Sequence, residues 1–423
     1  MKRYISLFTL VVLIASSCSG MLELNPHSAV SPGSVGTKDI EALRSGMYSN
    51  VQELPGTESY IMFDLFGGEL TTKQSTNSLD LINSLSSANN NLMEDAWQGY
   101  YKALMQVNNV FTIAQDLPEG NQKNQVLGEC HYFRAYLHLC LVTRYGDVPL
   151  MAFNTDDKVS RTAAAEVWKF IDEELALAIE HLPTKYNVNY LSKEAAKALK
   201  ARVALYTGNK KEAAELAETL IADASYGLDA FEKIFRGGNN SEVIFAFSCL
   251  TIESNISISA LFYSYNHPNS GSYVYAPAKE VMNMYADTDT RKEISITTMD
   301  NLNFINKYPS GQKGTDPVVV SRLGEMYLIS AEAQGLANGL GRLNELRAQR
   351  GLPAVYPSTE AAFIDAVLDE RRLELLCEGH RWYDLVRTGK AVEKLKILEY
   401  QTLMPIPEAE RQVNRNLTQN DGY

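Results

Sequence analysis

Residues 370–390, ERRLELLCEGHRWYDLVRTGK, have the spacing of an amphipathic helix. Apolar side chains three and seven residues apart fall on one side of a helix and predict a buried face. That face comprises Leu375, Trp382 and Leu385 together with Leu368, which lies two residues before the stretch. Charged residues three or four positions apart are predicted to pair along the same helix. These are Glu374, Glu378, Arg381 and Asp384. Trp382 is therefore predicted to be a core residue.

The two glutamates of this stretch have a catalytic alternative, because a glycosidase needs a pair of carboxylates. Glu374 and Glu378 have arginines close by, and positive neighbours keep a carboxylate ionised. A general acid needs a raised pKa instead, so we predict no catalytic residue and no enzyme activity. His380 is interpreted as a capping or hydrogen-bonding residue, since none of the six histidines has HExxH spacing. No metal site and no cofactor is predicted.

Upstream of this stretch, apolar residues again recur at helical spacing. The predicted helices are 38–53, 93–116, 124–145, 163–182, 192–207, 210–224, 322–350 and 358–388. They form pairs, over 93–225 and 322–390, of about the size of tetratricopeptide units, roughly 34 residues each. The sequence therefore predicts a mostly α fold, a tetratricopeptide-like scaffold of helical pairs within a single domain over 36–423.

Two segments interrupt the helical pattern, at 55–92 and 226–320. Both are rich in Gly, Ser and Asn, and the second is also rich in Tyr and contains a predicted strand at Val243–Phe247. Long irregular segments within a repeat scaffold tend to carry binding surfaces. Both are therefore predicted to be loop-rich ligand-binding segments.

The N-terminus, MKRYISLFTLVVLIASSC, has the layout of a secretory signal. Lys2 and Arg3 precede a short apolar run, and small residues follow before Cys18. The run is too short to span a bilayer, which needs about 20 residues. The cysteine after small residues resembles a bacterial lipobox, which implies a signal peptide at 1–17, lipidation of Cys18 and a tether at 18–35. The alternative is plain secretion with Cys18 incidental.

The charge balance argues against nucleic-acid binding. The chain has 39 basic and 51 acidic residues, a formal net charge of −12. Loss of Lys2 and Arg3 with the leader leaves 37 basic residues against 51 acidic ones, or −14. Such a surface repels phosphate groups, so no nucleic-acid partner is expected.

Several motifs together resemble the SusD/RagB family of nutrient-binding outer-membrane lipoproteins. The most specific are the 370–390 stretch and MPIPEAERQVNRNLTQNDGY at 404–423. The others are RAYLHLCLVTRYGDVPLM at 134–151, RLGEMYLISAEA with LNELRAQRGLP within 322–353, and SCSGMLELNP at 17–26. The resemblance implies a SusD-like fold and a non-catalytic role: capture of a glycan at the cell surface and delivery to a TonB-dependent, SusC-like transporter in the outer membrane. The chain is shorter than is usual for the family, and the missing length falls in loops, where specificity would reside.

Two stretches combine aromatic rings with short polar side chains, the mixture that suits sugars. They are FGGELTTKQSTN at 66–77 and FYSYNHPNSGSYVY at 262–275, which the resemblance matches approximately to the glycan site. The candidate ligand-binding residues are Lys73, Gln74, Asn77, Tyr263, Tyr265, Asn266, His267, Tyr273 and Tyr275. The alternative is that the tyrosines are buried and pack the irregular segment 226–320 against the helices. Trp97 and Trp168 lie in amphipathic helices and are predicted to be core or seam residues.

Three other functions stay open at this point. The same fold could bind peptides or glycoprotein fragments, which fewer loop aromatics and a smaller cleft would favour. A surface glycosidase would need two carboxylates about 5 to 10 Å apart in a cleft. A pure repeat scaffold would have no aromatic cluster reaching solvent.

Overall fold

The computed structural model describes residues 36–73, 87–185, 187–237, 239–249 and 254–423. The predicted signal peptide, Cys18 and tether lie outside the described residues. Within them the fold is mostly α, as predicted. None of the helices in this part of the chain is both long and apolar enough to cross a bilayer.

The helices of the first half are α1 Ile40–Glu53, α2 Met62–Phe66, α3 Asn91–Gln115, α4 Asn121–Tyr145, α5 Ala164–His181, α6 Lys193–Tyr206 and α7 Lys210–Ile221. Those of the second half are α8 Phe231–Phe235, α9 Lys279–Met282, α10 Lys292–Ser295, α11 Leu323–Gln349, α12 Glu360–Glu374, α13 Arg381–Arg387, α14 Ala391–Leu395 and α15 Glu408–Val413.

The predicted helices up to residue 224 are confirmed to within three residues at each end. The predicted continuous helix over 322–350 is wrong, because Gly335 has non-helical backbone angles (φ 69°, ψ −179°) that break α11 into two helical segments. Several short helices in the described residues were not predicted.

The long helices form a stack in which each packs on the next. The order runs from α3 through α4, α5, α6 and α7 to α11 and α12. Helix α7 contacts α11 directly, although about 100 residues separate them, so the intervening segment leaves the stack and returns to it. We call this segment, residues 222–322, the insertion. The helical-pair organisation is therefore continuous across it.

Short side chains begin several of these helices. Asn90 Oδ1 accepts hydrogen bonds from the backbone N–H groups of Leu92 and Met93, at 3.0 and 3.3 Å. Ser192 Oγ caps α6 in the same way at 3.2 Å. Each cap satisfies donors that the first turn leaves unpaired. The caps explain why these helices start close to their predicted positions.

Six short strands form three two-stranded antiparallel sheets among the described residues. The strands are β1 Leu70–Thr72, β2 Val243–Phe247, β3 Tyr275–Pro277, β4 Ile296–Met299, β5 Leu302–Ile305 and β6 Val318–Arg322. Strand β1 pairs with β3, β2 with β6, and β4 with β5. The predicted strand Val243–Phe247 is confirmed as β2, and it is buried along its whole length.

The predicted tryptophan positions are confirmed. Trp382 and Trp97 are buried, and Trp168 is partly buried against the core. Trp382 packs on Phe66 with ring centroids 4.7 Å apart. These indoles stabilise the scaffold.

The predicted continuous helix over 358–388 is wrong, because the chain breaks between α12 and α13. Cys377 and Gly379 both have positive φ, at 57° and 75°. The carboxylate of Asp64 accepts hydrogen bonds from both of their N–H groups, at 2.8 and 3.0 Å. These two donors stabilise a turn that an isolated helix would not adopt.

This break also overturns the predicted pairing along one helix. Glu374 instead accepts hydrogen bonds from Arg291, Arg322 and Arg350, at 2.8, 2.6 and 2.8 Å. All four side chains are buried. Burial alone would raise the pKa of Glu374, but the charges of Arg350, Arg322 and Arg291 lower it well below its usual value. Arginines do pair with this carboxylate, but they are distant in sequence and are not the neighbouring arginines of the 370–390 stretch, which pair with Asp384 and Glu69.

Its neighbours extend the same charged cluster. Glu378 pairs with Lys307 at 2.6 Å and with Arg322 at 2.8 Å. Glu242, at the start of β2, pairs with Arg350 at 2.7 Å. We call these seven side chains the ion network: Glu242, Arg291, Lys307, Arg322, Arg350, Glu374 and Glu378. It joins the insertion to the ends of α11 and α12.

Candidate ligand-binding site

Strands β1 and β3 bring together the two stretches that the sequence singled out. Leu70 lies opposite Pro277, and Thr72 lies opposite Tyr275. Beyond the strand, the N–H of Lys73 donates to the carbonyl of Val274 at 2.9 Å. Lys73 is therefore adjacent to the loop that contains the candidate tyrosines.

That loop is anchored by stacked rings. Tyr263 stacks on His267 with centroids 4.3 Å apart. Phe304 of β5 lies 4.9 Å from His267 and 5.3 Å from Tyr273. The Tyr263 hydroxyl donates to Asn306 Oδ1 at 2.7 Å. Burial lowers the pKa of His267, which favours the neutral imidazole in this stack.

Two candidate residues are buried within this arrangement. Tyr263 and Tyr275 have 0% exposure, so neither ring has a face open to a ligand. Tyr263 belongs to the stack, and Tyr275 lies in the β1–β3 pair. At these two positions the structure favours the alternative in which tyrosines pack the insertion. Neither ring is therefore proposed as a ligand contact.

The remaining described candidates reach the surface. Tyr265 is 79% exposed. Lys73 and Asn266 are exposed, and His267 and Tyr273 are partly exposed. Gln74 and Asn77 lie outside the described residues. The exposed ring of Tyr265 is the flat apolar surface that a sugar ring packs against.

A cleft that the sequence analysis missed lies beside this loop. It has a volume of about 590 Å³ and is bounded by residues 235–237, 268–270 and 309–317. Pro268 is three residues from Tyr265, so their Cα atoms are at most about 11 Å apart. One wall of the cleft comes from residues 306–317, NKYPSGQKGTDP, which have the same turn-forming composition as residues 262–275. This shared composition is the sequence feature from which the cleft could have been predicted.

The cleft wall depends on a close backbone approach. A Cβ at Gly311 would lie 1.5 Å from the carbonyl oxygen of Asn269. Gly311 also has φ of +59°, and Ser270 in the facing loop has φ of +48°. The N–H of Gln312 donates to the Ser270 carbonyl at 3.1 Å. Non-glycine residues held at positive φ are uncommon and cluster at functional sites.

Replacing Gly311 by Ala should displace the 268–270 wall. We expect the free energy of unfolding to fall by about 1–3 kcal/mol, from left-handed backbone strain and the forced shift of Asn269. Urea denaturation followed by circular dichroism measures this change. The control is Gly341→Ala on the exposed face of α11, where a Cβ meets nothing within 4 Å. That change should be neutral or stabilising by up to about 1 kcal/mol. Equal effects at both positions would contradict the assigned contact.

Among the described residues, the lining of the cleft includes a single carboxylate, whereas glycoside hydrolysis needs a pair. That carboxylate belongs to Asp316. Its oxygens accept hydrogen bonds from the N–H of Ser310, at 3.1 and 3.2 Å, and from its hydroxyl. Over the described ranges, no group of three His, Cys, Asp or Glu side chains could hold a metal ion. The arrangement suits binding.

Comparison with known proteins gives the family. Residues 22–205 match the family model SusD-like_3, described as "Starch-binding associating with outer membrane". Residues 301–401 match the model of the SusD family, SusD/RagB. SusD-like protein P38 of Formosa agariphila is 26% identical, and the alignment covers 93% of each chain. The chain belongs to the SusD/RagB family, as its motifs predicted.

Solved structures share the fold. A laminarin binding SusD-like protein has a TM-score of 0.80 at 23% identity, over 92% of this chain and 100% of that one. Surface glycan-binding protein A from Bacteroides thetaiotaomicron, solved in complex with laminarihexaose, has a TM-score of 0.81 at 18% identity. That match covers 91% of this chain and 100% of the other. At these identities the likeness establishes the fold.

Proposed function

We propose that this protein captures oligo- or polysaccharides at the cell surface, without catalysis, and delivers them to a TonB-dependent, SusC-like transporter. The observation that carries the proposal is the exposed ring of Tyr265 beside a polar cleft, in a chain of the SusD/RagB family. Relatives of the same fold bind laminarin or laminarihexaose. These relatives favour a glycan over a peptide as the cargo.

The chemistry of the surface fits a sugar. A sugar packs its C–H face on an aromatic ring and hydrogen-bonds its hydroxyls to nearby polar groups. Tyr265 offers the ring, and Asn269, Ser270 and Gln312 line the cleft beside it. The stack of Tyr263, His267 and Phe304 holds the loop in place before a ligand arrives. A preformed loop avoids part of the entropy cost of binding.

We further propose that the chain is located at the outer membrane and that its protein partner is the transporter. Signal peptide 1–17 would be removed, lipidated Cys18 would anchor the chain in the outer membrane, and residues 18–35 would tether one domain, 36–423, above it. The helical stack would supply a broad surface for the transporter. Affinity purification of the lipoprotein from detergent-solubilised membranes tests this partnership. Failure to recover a TonB-dependent transporter would contradict the delivery step and leave glycan capture to its own test.

Replacing Tyr265 by Ala should weaken glycan binding about tenfold, because loss of a stacking ring costs on the order of 1.4 kcal/mol. The measurement is calorimetric titration of the full-length lipoprotein in detergent with a glycan selected on an array. The control is Tyr356→Ala, since Tyr356 is equally exposed, at 82%, in the segment after α11. Binding that is unaffected by Tyr265→Ala would exclude this ring. Binding of peptides and of no glycan would contradict the proposed cargo.

A further inference from the structure

The cleft has a charge balance opposite to that of the chain. Arg236 and Lys313 line it, and Asp316 is the one acidic lining residue. The whole chain has 51 acidic against 39 basic residues. The positive balance is therefore a local feature of this cleft.

Arg236 retains hydrogen-bonding capacity in this position. One terminal nitrogen, Nη2, donates to the carbonyl of Asn306 at 3.0 Å. Its Nε also has no hydrogen-bond partner among the described residues, but it is buried and does not face the cleft. The other terminal nitrogen, Nη1, makes no hydrogen bond within the described ranges and is the group of this side chain that a ligand could reach. Asp316 lines the same cleft and forms no ion pair with Arg236 within the described ranges.

Lys313 is the second cation. It is exposed at the end of the short 3₁₀ helix Gly311–Lys313. In the part of the chain that the structure describes, its ammonium group makes neither an ion pair nor a hydrogen bond. Two other lysines of the insertion are paired, Lys233 with Asp229 at 2.9 Å and Lys292 with Asp287 at 2.6 Å. Lys279 resembles Lys313 in having no such pair among the described residues, but it does not line the cleft. Lys313 therefore keeps its charge available to a ligand.

Asp316 does not cancel these two cations by direct pairing. Its carboxylate accepts hydrogen bonds from the backbone and side chain of Ser310, which holds the turn at 310–316. Its acceptor oxygens are thus turned to the protein's own chain. The charged groups still able to bind in the cleft are the two cations, Arg236 and Lys313, while neutral side chains such as Gln312 and Asn269 can donate or accept.

We propose that the captured glycan is anionic, with sulfate ester or uronate groups bound by Arg236 and Lys313 in this cleft. This inference rests on the proposed function and narrows its ligand class. An arginine fork matches both sulfate and carboxylate oxygens, and a lysine adds a point charge. A neutral sugar segment would extend from the cleft towards Tyr265. Because the chain as a whole is acidic, non-specific attraction of polyanions is unfavourable, and binding requires the local site.

The test compares matched neutral and charged polysaccharides on the full-length lipoprotein in detergent. The probes are laminarin against sulfated laminarin, and methyl-esterified polygalacturonate against polygalacturonate. We expect at least one charged member to bind about tenfold more tightly than its neutral partner, and to weaken as salt is raised. The pair that shows the difference tells sulfate from carboxylate. Equal binding, or binding of neutral members alone, would overturn this inference and leave glycan capture standing.

Variants locate the effect. Lys313→Gln should weaken binding of the charged glycan about tenfold, as should Arg236→Gln, because each removes a charge-assisted contact. The control is Lys169→Gln on α5, where a side chain 76% exposed loses the same charge far along the chain. Lys313 makes no contact that folding needs, so a loss with this variant cannot be attributed to misfolding. Charged-glycan binding that survives both variants would overturn the cleft as its site. Absence of binding to every polysaccharide would overturn both this inference and the proposed function.

Discussion

Replacing Glu374 by Gln is expected to lower the free energy of unfolding by about 3–5 kcal/mol. The carboxylate faces three guanidinium groups, and all of these side chains are at 0–1% exposure. An amide of the same shape would remove one carboxylate from each of three buried arginines, so that Arg350 keeps Glu242 alone, Arg322 keeps Glu242 and Glu378, and Arg291 keeps Asp289 and Glu370. Removal of one partner from a buried ion network costs far more than the network contributes relative to an apolar core.

Urea denaturation at pH 7 measures this loss. The control is Glu345→Gln on α11, since Glu345 is 53% exposed and forms one ion pair, with Arg342 at 2.7 Å. An exposed pair contributes about 0–1 kcal/mol, so this change should be small. A loss at Glu374 no larger than that at Glu345 would show that the ion network does not hold the insertion to the scaffold.

The pH dependence follows from the same carboxylate. The arginines hold the pKa of folded Glu374 well below the ordinary 4.5. Its stabilising contribution is therefore present above pH 4.5 and is lost as the pH falls through the folded-state pKa. The wild-type chain should lose stability from this source in acid, and the Glu374→Gln variant should lack that part of the loss.

Replacing Cys18 by Ser is expected to release nearly all of the protein from the membrane fraction. A serine has no thiol to receive a diacylglycerol group. Each buried CH₂ of an acyl chain contributes about 0.8 kcal/mol to membrane binding, and stable anchoring needs about two chains. Cell fractionation with immunoblotting measures the shift, and mass spectrometry of the N-terminal peptide detects the lipid.

The neighbouring Ser19→Ala variant is the control for this experiment, because it changes the adjacent residue and keeps the thiol. It should stay in the membrane fraction. A wild-type chain without an acyl group, or a Cys18→Ser chain that remains bound, would favour the alternative of plain secretion or a different mode of attachment.

The helical scaffold could be predicted because its information is local. Periodic apolar residues and short capping side chains such as Ser192 define each helix within its own segment. The break between α12 and α13 could not be predicted, because it depends on Asp64, which is more than 300 residues away. The apolar spacing of Leu375 and Trp382 continues across the break and conceals it.

The candidate site was predicted at the level of segments and less well at the level of residues. Composition identified both stretches, and the β1–β3 pair joins them. Which tyrosines face solvent depends on turns with no period: Ser270 and Tyr273 both have positive φ, which redirects the chain between them. The cleft is formed by Arg236 and two loops that are distant from it in sequence. A local sequence pattern cannot predict that such separate segments come together.

The pairing of β1 with β3 has a consequence for how the chain is made. Residues 70–72 are synthesised long before their partners at 275–277, and Arg291, Arg322 and Arg350 are synthesised before Glu374. Contacts between residues so far apart in sequence form late and slowly. A chain halted during translation before residue 275 lacks the strand partner of β1, and a chain halted between residues 350 and 374 contains the three arginines without their shared carboxylate. The recognition surface and the charge balance of the interior are therefore completed only after most of the chain has been made.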